Sequence, residues 1–408
     1  MRLPDLRRFL LGLMGPQIDS DFAGQLSSDG WRKLNEIAAQ HRLQPHLHAR
    51  VTRGEIALDV PGAIRDSWQV AHRRNALRTL SQRRSLAQVH DILSDAGIAC
   101  VALKGACLAW NHYPAAAERP MRDIDVLIPP DRILEALALL SEHGLRQESA
   151  SARTPEEALE HDKHLPPMVD ADGTRFELHM RLWEKDSSID WWMPAPEDQA
   201  ILARAEPPQA EDPVLSPCAE DMLVHLIIHA SFSNRLNGGP LLLADIEYLL
   251  SKHSIVWPAF WERSRAGRWE RGAALVLALV DRWRQPGLLE ASQCSLMTES
   301  DILDAAPDLL LQDLNQRKTI GLVAGFAAAF ETGGVKNGGR KFLARLLGAG
   351  RGRHAPEQSD TVENGYGRWL SSRLGESLTA WTDPDVRRIA AKTRALGTWL
   401  SDGDGSRP

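Results

Sequence analysis

The stretch 121-MRDIDVLIPP-130 sets Asp123 and Asp125 one residue apart at the head of an apolar run, Val126-Leu127-Ile128, that stops on Pro129-Pro130. The run reads as a buried strand. Strands deplete aspartate, and an unpaired buried carboxylate is costly. Successive side chains alternate between faces, so Asp123, Asp125 and Leu127 share one face while Ile124, Val126 and Ile128 take the other. The two carboxylates then lie roughly 7 Å apart, a spacing that lets them converge on one or two divalent ions. Two solvated aspartates at a strand edge would give the same pattern, so the decision falls to what surrounds the strand.

Upstream, "IACVAL" (98–103) is a short apolar run that reads as a strand. It enters Lys104-Gly105, and "KGACLAWNHY" reads as a turn opening into a short helix. Gly105 allows close backbone approach, the free N–H groups of a helix start attract anions, and Lys104 adds a positive charge. A plain strand-to-helix turn is the alternative. Downstream, "PPDRILEALALLSEHG" reads as a helix closed by Gly144, and "HLPPMVDADGTRFELHMRLW" (164–183) as two strands around an Asp-Gly turn. In the second of these, Phe176, Leu178, Met180 and Leu182 alternate with Arg175, Glu177, His179 and Arg181. One face therefore packs on the core and the other is polar. If the two strands are neighbours, Glu177 adds a third carboxylate beside Asp123 and Asp125; otherwise its polar face only meets water.

The rest of the chain is organised around this unit. Residues 1–75 read as a helical region, with Trp31, Leu34, Ile37 and Ala38 at helical spacing. A long helix over 76–96 carries Leu77, Leu80, Leu86, Val89, Ile92 and Leu93 as its apolar stripe and ends at Gly97. Strands and helices alternate over 76–187, forming the core. Residues 188–300 read as a helical domain lining the cleft, entered through a Pro-rich linker (207–217), and 301–408 as a helical accessory region with a disordered tail. Within that region 331–339 and 348–365 have the composition of loops. The fold class expected is α+β: a small mixed-sheet core flanked by N-terminal and C-terminal helical regions.

Composition narrows the function. The chain has 408 residues, 43% hydrophobic and 25% charged, with net charge -6, which argues against a general electrostatic grip on nucleic acid. Cys100, Cys107, Cys218 and Cys294 form no CxxC pair, as expected of reduced structural thiols in a cytoplasmic protein. "MRLPDLRRFLLGLMG" reads as an amphipathic helix and not a signal peptide, and the longest apolar stretch, 320–330, is short of the roughly 20 residues of a membrane span.

In "EDMLVHLIIH", Asp221, His225 and His229 recur every four residues on one face. Two histidines at that spacing can bind zinc, but the glutamate of HExxH is missing, and a polar stripe facing a cleft between domains is the better reading. Asp245 in "LLLADIEYLL" is placed at the same cleft. Trp191-Trp192 suggests a stacking surface or core packing. The basic run 338–354 suggests a phosphate contact or a solvated helix face.

The order of these parts resembles the DNA polymerase beta-like nucleotidyltransferase superfamily, and within it a family of uncharacterised bacterial nucleotidyltransferases. The motifs are "LKGACL", Tyr113, "RPMRDIDVL" and "FELHMRL", and the likeness extends over roughly residues 30–285. The resemblance implies Asp123, Asp125 and Glu177 as catalytic and metal-binding residues. It implies a nucleotide held by Lys104, Gly105, Ala106, Arg119, Arg122, His179, His225, His229 and Asp245. Where the superfamily often has Gly-Ser in its phosphate cradle, this chain has Gly105-Ala106. Phosphate binding then leans on backbone N–H groups, Lys104 and Arg119 or Arg122.

The function expected is magnesium-dependent transfer of a nucleoside monophosphate from a nucleoside triphosphate such as ATP to a hydroxyl acceptor, with manganese as the alternative ion. The acceptor class is a protein, a peptide or a small molecule; nucleic acid is disfavoured and no membrane is involved. A glycosyltransferase using an Asp-x-Asp motif is the alternative enzyme, and leaves Lys104-Gly105 and Glu177 unused. A non-catalytic nucleotide-binding module on the same fold is the third reading.

Overall fold

The computed structural model describes residues 2–148, 153–183, 198–207, 214–317, 319–321, 323–324 and 383–401. Trp191-Trp192, the loops 331–339 and 348–365, the basic run 338–354 and the C-terminal tail lie outside them. The chain divides into two compact units, one of residues 1–149 and 153–311, the other of 150–152 and 312–408. In the second, the helix Pro384–Ser401 buries Val386, Ile389, Ala390, Leu396, Trp399 and Leu400.

The first unit is α+β, mostly helical around one small sheet. Helices α1 (Leu3–Leu13), α2 (Ser20–Gly24), α3 (Ser28–Gln40) and α4 (Gln44–Thr52) precede a 34-residue helix, α5 (Gly62–Asp95). Amphipathic α1 buries Leu6, Phe9, Leu10, Leu11 and Leu13. It also buries Arg7, which is held by Asp308 at 2.9 Å and by the Leu311 carbonyl. The Ser27 side chain accepts from the Gly30 N–H at the start of α3, satisfying one of the open donors of a helix end.

Helix α5 begins well before residue 76, and its buried face differs from the expected one. Leu86, Val89 and Leu93 are buried, but Leu77 and Leu80 are 72% and 69% exposed. Between the buried Trp68 and Leu86, the middle of the helix turns Asn75, Thr79, Gln82 and Ser85 inward instead. Asn75 donates to the Ala117 carbonyl at 2.8 Å, and Ser85 meets the Thr174 hydroxyl at 3.2 Å. Hydrophobic periodicity cannot find a core face carried by hydrogen-bonding side chains.

Among the described residues five strands form the sheet: β1 (Val101–Ala102), β2 (Ile124–Leu127), β3 (Arg146–Gln147), β4 (Met168–Val169) and β5 (Arg175–His179), in the order β1-β2-β5-β4-β3. Strands β2 and β5 run parallel and the other pairs antiparallel. The β4–β5 hairpin turns through Gly173 at φ +78°, a left-handed conformation that favours glycine. Helices α6 (Gly105–Asn111) and α7 (Ile133–Glu142) follow β1 and β2, and α8 (Pro155–His161) precedes β4. The described end of the Pro-rich segment pairs with the sheet: Ala102 N–H donates to the Leu215 carbonyl at 2.7 Å, which covers the outer edge of β1.

Helices α9 (Asp198–Arg204), α10 (Ala219–Ile228), α11 (Leu241–Lys252), α12 (Trp257–Ala266), α13 (Glu270–Trp283), α14 (Leu288–Ala291) and α15 (Ser300–Leu310) complete this unit. Every residue of α10 from Asp221 to Ile228 is buried, so it is a core helix and its Asp221–His225 stripe is not a solvent face. Among the described residues, no helix is long and apolar enough to cross a membrane.

Candidate active site

The site is set by register. In the parallel pair, Asp125 lies opposite Glu177, and Leu127 opposite His179. Paired strands are about 4.8 Å apart, closer than the roughly 7 Å between alternate residues of one strand. The first close partner of Asp125 is therefore Glu177 and not Asp123. One ligand atom each from Asp125, Glu177 and His179 lies within 4.8 Å of the others, a group that could hold a metal ion.

Cations already surround Asp125. Its Oδ1 meets His179 Nε2 at 2.8 Å and its Oδ2 meets Lys104 Nζ at 3.3 Å. Burial alone would raise this carboxyl, but Lys104 and the His179 hydrogen bond hold it well below the usual carboxylate range. Burial works against the charged form of His179 too, and hydrogen bonds to Asp125 and Glu177 reverse this and raise its pKa. The other ring nitrogen, Nδ1, faces the Arg181 carbonyl at 3.3 Å, so a proton on Nδ1 is held there and Nε2 can ligate when a cation takes the place of its own proton.

Glu177 is shared between Arg175 Nη1 at 3.2 Å and His164 Nε2 at 3.5 Å. Burial would raise it, yet the His179 hydrogen bond and the His164 charge leave it lowered. Asp123 meets the same Arg175 nitrogen at 3.4 Å. Its pKa is raised, by burial first and then by the charges of Asp125 and Glu177. The three carboxylates thus form one electrostatic unit, with Asp123 the member most easily protonated.

Lys104 reaches the site from a backbone that most side chains avoid, at φ +44° and ψ −120°. Such conformations cost about 1–3 kcal/mol and cluster at functional sites. The Leu103 N–H is pinned to the Asp125 carbonyl at 3.0 Å, which fixes the approach. The N–H groups after the turn are less open than expected: Ala106 donates to the Leu103 carbonyl and Cys107 to that of Lys104. The space above Gly105 is filled from within, since a Cβ there would collide with Arg119 Nη1 and stand 2.8 Å from Met121 Cγ. This glycine admits a neighbouring arginine.

Arg119 is in turn committed to Asp245, donating from Nε at 2.9 Å and Nη2 at 2.8 Å, while Tyr113 Oη donates to the same carboxylate at 2.7 Å. Arg119 and Asp245 thus form a clamp beside the cradle. Arg122 is exposed at the entrance to β2.

His225 is 1% exposed, and among the described residues neither ring nitrogen has a hydrogen-bond partner. Its ring packs 5.5 Å from that of Trp183 and 5.9 Å from that of His229. Burial first, then the Lys104 charge, holds both histidines well below the ordinary imidazole pKa. At His229 the helix passes into a π-helical turn, His229–Ser233, a distortion frequent at functional sites. Asp221, expected on the same stripe, is instead held by Arg204 at 2.8 Å and Arg263 at 2.9 Å. Sequence reasoning missed the positions of His164 and Arg175: His164 joins the site through a single antiparallel bridge to His179 that no spacing signals, and Arg175 looked like one more polar residue of an alternating strand.

A small mixed sheet that focuses two carboxylates and an imidazole next to a lysine defines a candidate metal-binding centre. Residues 27–285 match the model of a family described as uncharacterised nucleotidyltransferase, and the chain belongs to that family. No curated protein matches the chain.

Proposed function

We propose that the chain transfers a nucleoside monophosphate from a nucleoside triphosphate to a hydroxyl-bearing acceptor and releases pyrophosphate. The observation that carries this reading is the convergence of Asp125, Glu177 and His179, with donor atoms within 4.8 Å of one another, beside Lys104. The donor set fits a divalent cation: carboxylate oxygens suit magnesium, and the imidazole nitrogen widens the fit to manganese. Asp125 and Glu177 would hold the ion, with Asp123 completing the acidic surface. When bound, the ion neutralises charge on the transferring group and lowers the pKa of the attacking hydroxyl.

The chain's own residues supply placement. Lys104 faces the phosphates from its strained turn, aided by Gly105, Ala106 and Arg122. The Arg119–Asp245–Tyr113 clamp fixes the wall of that cradle, and His225 and His229 offer neutral ring nitrogens toward base or sugar. His179 orients Asp125, and Arg175 spaces Asp123 from Glu177. The hydroxyl oxygen bonds to the α-phosphorus as the bond to the β-phosphate oxygen breaks. The hydroxyl proton passes to Glu177, and the electron pair leaves with pyrophosphate. Catalysis is by positioning and charge, with no covalent enzyme intermediate.

The test is incubation with each nucleoside triphosphate and magnesium or manganese, against protein, peptide and small-molecule hydroxyl acceptors. Pyrophosphate release is followed together with the mass of every component. Stoichiometric release with a matching mass gain on an acceptor is expected. Nucleotide binding without release across the panel would replace transfer with the non-catalytic reading.

A further inference from the structure

Three arginines gather at the margin of the carboxylate site from three separate elements. Arg42 comes from the turn between α3 and α4, Arg78 from α5 and Arg122 from the loop entering β2. Arg78 Nη2 donates to the Arg122 carbonyl at 3.2 Å, tying the helix to the loop. The Arg42 guanidinium is part-buried, within range of the charges of Arg78, Arg122 and Asp123. Burial first, then its two like-charged neighbours, lower its pKa to about 10. Among the described residues none of the three makes an ion pair, although the Asp123 charge, shared with Arg175, favours the charged form of Arg42.

The backbone of Arg42 adds a second observation. Its φ is +58°, at the end of α3, where the Leu43 N–H closes back on the Ala38 carbonyl at 2.7 Å. This is the left-handed helix stop that glycine usually fills. An arginine here accepts backbone strain to bring a charged side chain to a place where two others repel it. Such a group is stabilised by an anion, and guanidinium forks match phosphate oxygens in geometry as well as charge.

We propose that Arg42, Arg78 and Arg122 form an anion subsite that takes a phosphate group. It rests on the transfer reading only for the carrier of that phosphate, which is either the nucleotide's own phosphate chain or a phosphorylated acceptor. Binding of the phosphate is independent of catalysis and is measured without it.

The full chain is titrated with inorganic phosphate and pyrophosphate at low salt, without nucleotide. Both bind, and Arg42→Gln and Arg78→Gln each weaken binding about ten-fold. Arg65→Gln, on an exposed stretch of α5, leaves it unchanged. Near-ultraviolet circular dichroism checks that each variant is folded, and the exposed Arg78 serves if Arg42→Gln does not fold. If the nucleotide is the carrier, ATP binding weakens in the same variants and pyrophosphate competes with ATP. If the acceptor is the carrier, ATP affinity holds and phosphate binds the ATP-loaded chain. Either result supports the subsite. Unchanged phosphate and pyrophosphate affinity in the folded variants overturns it. Arginine-dependent phosphate binding without pyrophosphate release from any nucleotide would remove the transfer reading and leave the subsite standing.

Discussion

Asp125 faces Glu177 across the parallel β2–β5 pair, and His179, two residues further along β5, bonds the same aspartate at 2.8 Å. The pairing register therefore selects the metal-competent group. Asp123, which shares a face with Asp125, reaches the group by charge and through Arg175.

This geometry ranks the carboxylates. Asp125→Asn keeps the shape of the side chain but removes the charge that Lys104 and His179 surround. Transfer is expected to fall on the order of 10²–10³-fold or more, in a chain still folded at the assay temperature. Asp123→Asn also loses transfer, but weakens manganese binding less, because its oxygens lie outside the three-donor group. Calorimetric titration with manganese and a pyrophosphate-release assay on both variants check the order. Weaker manganese binding by Asp123→Asn than by Asp125→Asn would reassign the ligands.

The clamp on Asp245 is expected to act mainly on stability. Tyr113→Phe removes one hydrogen bond to a carboxylate that keeps both Arg119 bonds, at a cost of about 1–2 kcal/mol. Asp245→Asn leaves the Arg119 guanidinium poorly matched and is expected to cost more, about 3–5 kcal/mol. Denaturant unfolding of the two variants gives the comparison. Equal losses would mean that Arg119 does not depend on Asp245 for its charge balance.

The alternation in "TRFELHM" and the paired aspartates made the two site strands legible, because period-two patterns state which side chains share a face. What joins the strands was not legible. The Asp125–Glu177 register depends on long-range pairing, and Asp245 is bound by residues more than a hundred positions away. Helix α5 misled in its middle because its core face is polar there, with Leu77 and Leu80 left in solvent. Nor does sequence reveal that Lys104 and Arg42 hold backbone conformations suited to glycine, since neither residue type signals a left-handed turn.

Asp221 ties α10 to Arg204 and Arg263, and gives an acid-sensitive contribution to stability. Burial would raise its pKa, but Arg204, Cys218 and Arg263 lower it below the ordinary value of 3.8. A depressed carboxyl stabilises the fold fully above its unfolded pKa and loses that contribution as pH falls through the folded value. The loss therefore develops below about pH 4. Asp221→Asn is expected to lower stability at pH 7 and to flatten the acid limb of melting temperature against pH. Parallel acid limbs in the two proteins would show that Asp221 is not a source of the slope.

Lys104 offers the clearest separation of strain from function. At φ +44° and ψ −120° the residue is in a region that only glycine enters without cost. Replacement by alanine and by glycine removes the same ammonium group from Asp125, so the loss of that ion pair cancels between the two variants. What remains is the backbone: alanine keeps the strain and glycine relieves it, against the extra chain entropy glycine brings to the unfolded state. Lys104→Gly is therefore expected to be more stable than Lys104→Ala by about 1–2 kcal/mol. Both should bind a nucleoside triphosphate more weakly than the native chain, because neither supplies a charge to the phosphates. Unfolding free energies and nucleotide titrations on the pair check both parts. Alanine matching glycine in stability would show that the turn relaxes without its lysine, and that the strain is imposed by the Lys104–Asp125 contact and not by the join between β1 and α6.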